Sequence, residues 1–293
     1  MKNVKVNSTL AGYFFVLLLL FLPAANSRAQ AWVPLGTEGF SVGESFTQSI
    51  AFMGETPYVA FMDRANEDKA TVMKFNGEVW EVVGSAGFTP GKAQSLCLAV
   101  SGNTPYVAFC DEANGRKASV MKFDGTDWGF VGGAGITENI ADEVSLAIDD
   151  GVLWLAFQDA AHNNKVTVIK NGDEGWTTVG PPGFSTGLMT NVIDLAVENG
   201  IPYVSYRDYS ASYKASVMKY NSESSVWQVL GEQGFSASTH DAYQCLAVYN
   251  NTPYIATRGT DAKATLYKFD GSDWTPLGTD GLSSGTAFYS TVK

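Results

Sequence analysis

Residues 104–128, TPYVAFCDEANGRKASVMKFDGTDW, recur in recognisable copies along a chain of 293 residues. The copies superpose on Trp32, Trp80, Trp128, Trp176, Trp227 and Trp274, which are spaced by 48, 48, 48, 51 and 47 residues. Two further sets keep the period. One is Pro57-Tyr58, Pro105-Tyr106, Leu153-Trp154, Pro202-Tyr203 and Pro253-Tyr254, and the other is Lys74, Lys122, Lys170, Lys219 and Lys268. A constant period of this length marks a stacked or circular array, because one unit cannot bury its apolar faces alone.

Each unit divides into four short runs rich in Val, Ile, Phe, Tyr and Trp, separated by Gly, Pro, Asn or Asp, and none has the helical period. In the second unit strand A is 95–100, strand B 105–110, strand C 118–123 and strand D 128–132. The prediction is an all-β propeller of four-stranded blades of about 48 residues. Five full blades fall at approximately 45–84, 93–132, 142–180, 191–231 and 242–278, with partial blade strands at 32–36 and 286–293. Strand A carries large residues on one side (Ile50/Phe52, Leu98/Val100, Leu146/Ile148, Leu195/Val197, Leu246/Val248). On the other side it carries small ones (Ser49/Ala51, Cys97/Ala99, Ser145/Ala147, Asp194/Ala196, Cys245/Ala247). A large face meeting a small face is what interlocking blades around a tapered ring require. Strand D accepts Pro34 and Pro276, as an outer edge strand can. Two readings of the ends stay open: a six-bladed ring that needs strands B and C after Lys293, or a five-bladed ring with ragged ends.

Residues 1–31 read as an export signal: Lys2 and Lys5, the apolar run YFFVLLLLFLPAA, then Ala29-Gln30-Ala31 as a small-x-small cleavage site. The alternative is an uncleaved membrane anchor, for which the run is short. The chain has 19 basic and 30 acidic residues, net −11; losing Lys2, Lys5 and Arg28 takes it to −14. Such a surface disfavours nucleic acid and anionic membrane as partners. The expectation is a secreted or cell-surface protein, not inserted in a membrane once cleaved, whose partners are glycans or another surface protein.

The string TPYVAF-x-D, then K-A-[ST]-V-M-K-F-[DN]-G, then W-x-x-V-G-x-x-G-F-S resembles the repeats of secreted or cell-surface bacterial β-propeller proteins. It covers residues 32–293 and implies shape more than activity. The turn KFDGTDW lies where sialidase-like propellers place an Asp-box, but the Ser-x-Asp-x-Gly-x-Thr-Trp pattern is not present. A Gly-Gly doublet of the kelch kind occurs only at Gly132-Gly133, and no WD40 Trp-Asp dipeptide occurs.

Repeated and repeat-breaking residues give the site candidates. Asp63, Asp111, Asp159 and Asp208 end strand B, with Lys69, Lys117, Lys165 and Lys214 six residues later. They are either hairpin ion pairs or a ring of carboxylates at the channel mouth that binds sugar hydroxyls or a cation. Phe40, Phe88, Phe184 and Phe235, replaced by Ile136 and Leu282, sit in the D-to-A loops either as stacking platforms or as plugs, and the aliphatic replacements favour plugs. Asp194 breaks the small face of strand A and is the one candidate for catalysis. Arg207 and Arg258 replace Met62, Cys110 and Gln158, and are expected near Asp194 as an ion-pair network or an anion site. Cys97, Cys110 and Cys245 read as buried thiols, and His162 and His240 offer them no base at a matching position. DGTD (124–127) and DGSD (270–273) read as hairpin turns. Calcium at low affinity is the one metal considered, and zinc is not expected. The leading function is a non-catalytic binding or surface-interaction module with carbohydrate as the first ligand class. The alternatives are a polysaccharide-active hydrolase or lyase and a structural repeat segment of a larger surface protein. Equivalent pockets on the blades would mark a lectin-like module.

Overall fold

A computed structural model describes residues 33–187, 189–237, 244–259, 262–278 and 281–283. The expected signal at 1–31, the strand at 286–293 and His240 lie outside the described residues. Among those described, twenty strands form five four-stranded antiparallel sheets, each pairing in chain order. Blade 1 is β1 (Ser45–Met53), β2 (Thr56–Asp63), β3 (Lys69–Phe75) and β4 (Trp80–Val82); blade 2 is β5 (Ala93–Ser101), β6 (Thr104–Asp111), β7 (Lys117–Phe123) and β8 (Trp128–Phe130). Blade 3 is β9 (Ala141–Asp149), β10 (Val152–Asp159), β11 (Lys165–Gly172) and β12 (Gly175–Thr178). Blade 4 is β13 (Met189–Glu198), β14 (Ile201–Asp208), β15 (Lys214–Asn221) and β16 (Val226–Val229), and blade 5 is β17 (Cys245–Tyr249), β18 (Thr252–Arg258), β19 (Ala264–Phe269) and β20 (Trp274–Pro276). The inner strands stack in the order β1, β5, β9, β13, β17. No helix among the described residues is long and apolar enough to cross a membrane.

The large and small faces of the inner strands meet as the sequence pattern requires. Leu98, Leu146, Leu195 and Leu246 are almost fully buried against the preceding blade, each contributing roughly 1.5–3 kcal/mol. The small residue facing each leucine does more than make room. Ser49 Oγ accepts the Leu98 N–H at 2.9 Å, Cys97 Sγ accepts Leu146 N–H at 3.4 Å, and Ser145 Oγ accepts Leu195 N–H at 3.0 Å. Asp194 Oδ2 accepts Leu246 N–H at 2.7 Å. A latch thus joins each blade to the next. The large face of β1 differs: Ile50 is 44 % and Phe52 57 % exposed.

The outer rim is tied in a second way. The indole N–H of Trp80, Trp128, Trp176, Trp227 and Trp274 donates to the carbonyl of Leu35, Val83, Val131, Val179 and Leu230 in turn, at 2.8–2.9 Å. Leu35 therefore stands where the outer strand of a preceding blade would stand. Gly84, at φ +74, shows why glycine follows that strand: a Cβ there would lie 2.9 Å from the Phe123 ring. The D-to-A phenylalanines stack on the same indoles. Phe40, Phe88, Phe184 and Phe235 lie 4.4, 4.1, 3.9 and 4.5 Å from Trp80, Trp128, Trp227 and Trp274, within 18° of parallel. Ile136 packs in the same core as Trp176. These rings are plugs of the blade junctions.

Candidate functional site

Two faces of the blades carry the repeated polar residues. On the B-to-C face, Asp63, Asp111, Asp159 and Asp208 are buried, between 0 and 5 % exposed. Each caps a one-turn 3₁₀ helix and accepts the backbone N–H two residues on. Asp111 shows the full set: Ala113 N–H at 3.1 Å, Asn114 Nδ2 at 2.7 Å and Ser119 Oγ at 2.8 Å. Ser119 Oγ then accepts the Gly135 N–H at 2.9 Å, so the carboxylate fixes the D-to-A loop through one hydroxyl. Thr71, Thr167 and Ser216 repeat this relay from Asp63, Asp159 and Asp208 to Gly87, Gly183 and Gly234. His162 replaces the asparagine in blade 3, its Nδ1 2.8 Å from Asp159. For Asp208, burial opposes ionisation, but donors from Ser210, Gln233, Thr186 and Ser216 outweigh it and hold its pKa below the usual value.

The expected alternatives for these aspartates need correcting. Asp63 and Lys69 stand opposite each other in register, yet Lys69 pairs with Glu67, at 3.4 Å. The aspartates also do not form an open ring of carboxylates, because the turns they hold consume their oxygens. A buried acid is stable here because it is surrounded by donors.

Asp194 is a latch residue: beyond Leu246 N–H, it binds Leu195 N–H and Ser145 Oγ at 3.1 Å each. Burial pushes its pKa up, against the bonds from Leu246, Cys245, Ser145 and Leu195. Arg207 stacks over Tyr213 at 4.7 Å, and among the described residues neither Arg207 nor Arg258 forms a salt bridge to Asp194. Among the described residues the carboxylate of Asp194 is held by donors of blades 3, 4 and 5 in place of the expected arginine pairs. In the turn 124–127, Asp124 Oδ1 accepts the N–H groups of Thr126 and Asp127, and Asp270 repeats this with Ser272 and Asp273. Cys110 is buried, with its thiol pushed up to about 12, chiefly by that burial, which makes it a poor nucleophile.

The opposite face, of A-to-B and C-to-D turns, is where pockets open between blades. In every blade the strand B aromatic stands opposite the strand C lysine: Tyr58 and Lys74, Tyr106 and Lys122, Trp154 and Lys170, Tyr203 and Lys219, Tyr254 and Lys268. Lys170 Nζ lies 5.2 Å over the Trp154 ring, and Lys219 lies at the same distance over Tyr203. At the junction of blades 3 and 4 this pair meets Asp149, Asp150, Asn199 and Gly200 around a pocket of about 500 Å³. Asp149 Oδ2 accepts the Gly200 N–H at 2.6 Å, which joins the two A-to-B turns that form its wall. At the junction of blades 1 and 2, Tyr58, Lys74, Glu81, Asn103 and Pro105 line an equivalent pocket of about 320 Å³. Sequence reasoning used the Tyr/Trp and Lys positions as rulers for the repeat and did not read them as a site. The signal that could have found them is an aromatic and a cation placed opposite each other in every hairpin.

The sequence matches no protein-family model, and no curated protein matches it. Solved propeller structures do resemble it. Aleuria aurantia lectin, a fungal six-bladed β-propeller that recognises fucose, superposes with a TM-score of 0.57 at 16 % identity, over 84 % of this chain and 83 % of the lectin. AofleA from Arthrobotrys oligospora gives 0.59 at 12 % identity, over 84 % and 74 %. A polysaccharide lyase, an ulvan lyase bound to a glucuronate–rhamnose-3-sulfate unit, gives 0.56 at 11 %, over 84 % and 75 %. At such identities the shared property is the β-propeller fold.

Proposed function

We propose that this chain is an exported, non-catalytic propeller that binds glycans in the pockets between its blades. The observation that carries the reading is the repetition of one chemical arrangement at two junctions, between blades 1 and 2 and between blades 3 and 4. A buried aromatic forms the floor, the strand C lysine stands opposite it, and polar side chains of the adjoining turns and strands supply acceptors. At the junction of blades 3 and 4 these are the Trp154 floor, the Lys170 ammonium and the carboxylates of Asp149 and Asp150. Sugar hydroxyls need both donors and acceptors at short range, and their C–H faces need an apolar floor. Several weak, equivalent sites on one rigid ring suit a multivalent glycan surface, where avidity multiplies modest affinities. The fold is shared with lectins solved bound to fucosides, which makes fucosylated glycans the first probes.

The test is a glycan array with the whole chain, with and without calcium, beside a variant carrying Lys74, Lys122, Lys170, Lys219 and Lys268 each changed to Ala. The expected result is binding that survives calcium removal and disappears in the folded variant. Retained binding in the variant would move the site elsewhere. A chain that binds no glycan would overturn the reading and leave a structural repeat segment.

A further inference from the structure

A larger cavity, about 700 Å³, opens in the channel beside blades 1, 2 and 3, on the B-to-C face and away from the junction pockets. Its wall is built at β-bulges. The inner strands lose register between Phe46 and Ser49, between Gln94 and Cys97, and opposite Ala156 and Gln158. At each bulge a residue other than glycine adopts a positive φ: Thr47 at 47°, Ser95 at 45° and Glu143 at 50°. Bulges of this kind re-aim a side chain that a regular strand would send elsewhere. Here they line the cavity with a threonine, a serine and a carboxylate.

The charges of this wall are unequally balanced. Arg116 binds Asp142 through Nη2, and its Nε lies 3.7 Å from Glu112, so Asp142 is compensated. Glu143 has no hydrogen-bond or ion-pair partner among the described residues. Its carboxyl is pushed up, first by burial and then by the charge of Asp142. Gln48 and Gln94 commit their amide N–H groups to Ser45 and Glu112, which leaves their carbonyl oxygens as acceptors. Met62, Leu96 and Val144 complete an apolar wall. The cavity is therefore rich in acceptors, short of donors, and holds one uncompensated acid. A ligand that fits it must bring donors and a positive charge on a body with apolar C–H faces.

We infer that this channel cavity binds an amino sugar, whose ammonium group pairs with Glu143 while its hydroxyls meet Gln48, Gln94 and Ser95. The volume lies in the range of small-ligand sites and admits an oligosaccharide end. A protein of net charge −11 also draws cations toward it over distance. The site is distinct from the junction pockets and does not rest on the reading given for them.

The experiment is calorimetric titration of the whole chain with a glucosamine trisaccharide and, separately, with its N-acetylated counterpart, which has the same ring without the charge. The glucosamine form should bind at least tenfold tighter, and Glu143→Gln should remove that preference with no loss of thermal midpoint. Lys170→Ala should leave it intact. Glu78→Gln, which removes the same charge from an exposed position, controls for the surface field. The glucosamine affinity should also fall on acidification at a higher pH than an ordinary glutamate, with its value of 4.5, would give, because only the ionised carboxylate pairs. Equal affinity for the two sugars, an unchanged Glu143→Gln, or an equal loss in Glu78→Gln would each overturn the assignment.

Discussion

The two faces of the blades use repeated charged residues in opposite ways. On the B-to-C face each aspartate that ends strand B is buried and its oxygens are consumed by the turn it caps. On the other face every lysine lies opposite an aromatic ring, and at two junctions the pair borders a pocket. Repetition alone therefore does not mark a binding residue. What separates the faces is whether the chain itself satisfies the group. An acid that accepts three or four donors from its own blade has no capacity left for a ligand, whereas the Lys170 ammonium resting on Trp154 keeps its donors.

The largest effect expected from this contrast is on stability. Asp111→Ala leaves Ser119, Asn114 and the Ala113 N–H without their acceptor in a buried turn, at a cost of about 3 kcal/mol. Urea unfolding should show that loss, while any protein that remains folded should bind glycan as before. A change in glycan affinity at unchanged stability would reverse the roles given to the two faces. Lys170→Ala should behave in the opposite sense: stability within about 0.5 kcal/mol of the parent, as for other surface changes, and affinity at that junction reduced about tenfold, the equivalent of about 1.4 kcal/mol. Titration of a monovalent glycan would separate the two.

The fold was legible because the repeat is nearly regular and its tryptophans hold one period. The large and small faces of strand A were legible too, since packing depends on volume. Their hydrogen bonds were not. The donor to Ser49 is a backbone N–H that lies 49 residues away, and no side-chain pattern reports a backbone partner. The relay from Asp111 to Ser119 was written in the sequence as D-x7-[ST], but its meaning depends on the hairpin that brings the ends together. Asp194 was noticed as an exception, which it is. The sequence shows that an aspartate stands in place of the serine, and not the Leu246 N–H that it accepts.

The latch residues supply the next test. In the folded chain Asp194 titrates above its ordinary value of 3.8, because burial penalises the charge. Below that value the acid is protonated in both folded and unfolded chains and costs nothing. As pH rises from there to the raised folded value, the unfolded chain ionises first, and stability falls. Asp194→Asn keeps an acceptor for Leu246 and removes the charge, so it should gain on the parent across this interval and hold a constant advantage above it. Stability measured from pH 3 to pH 8 would show the divergence; parallel curves would mean that the charge is not penalised.

The smallest effect concerns Cys97. Its sulfur accepts Leu146 N–H at 3.4 Å, where Ser49 and Ser145 accept the equivalent groups at 2.9 and 3.0 Å. Sulfur is a weak acceptor and oxygen a better one, but the thiol also buries more apolar surface than a hydroxyl does. The two differences oppose each other, and Cys97→Ser should shift stability by about 0.5 kcal/mol or less. The informative readout is local: amide exchange of Leu146 should slow as the hydrogen bond shortens, bringing junction 2–3 into line with junctions 1–2 and 3–4. If Leu146 instead exchanges faster, the latch at this junction depends on the volume of sulfur more than on its lone pairs, and the row of acceptors along the inner strands is a packing device whose hydrogen bonds are secondary.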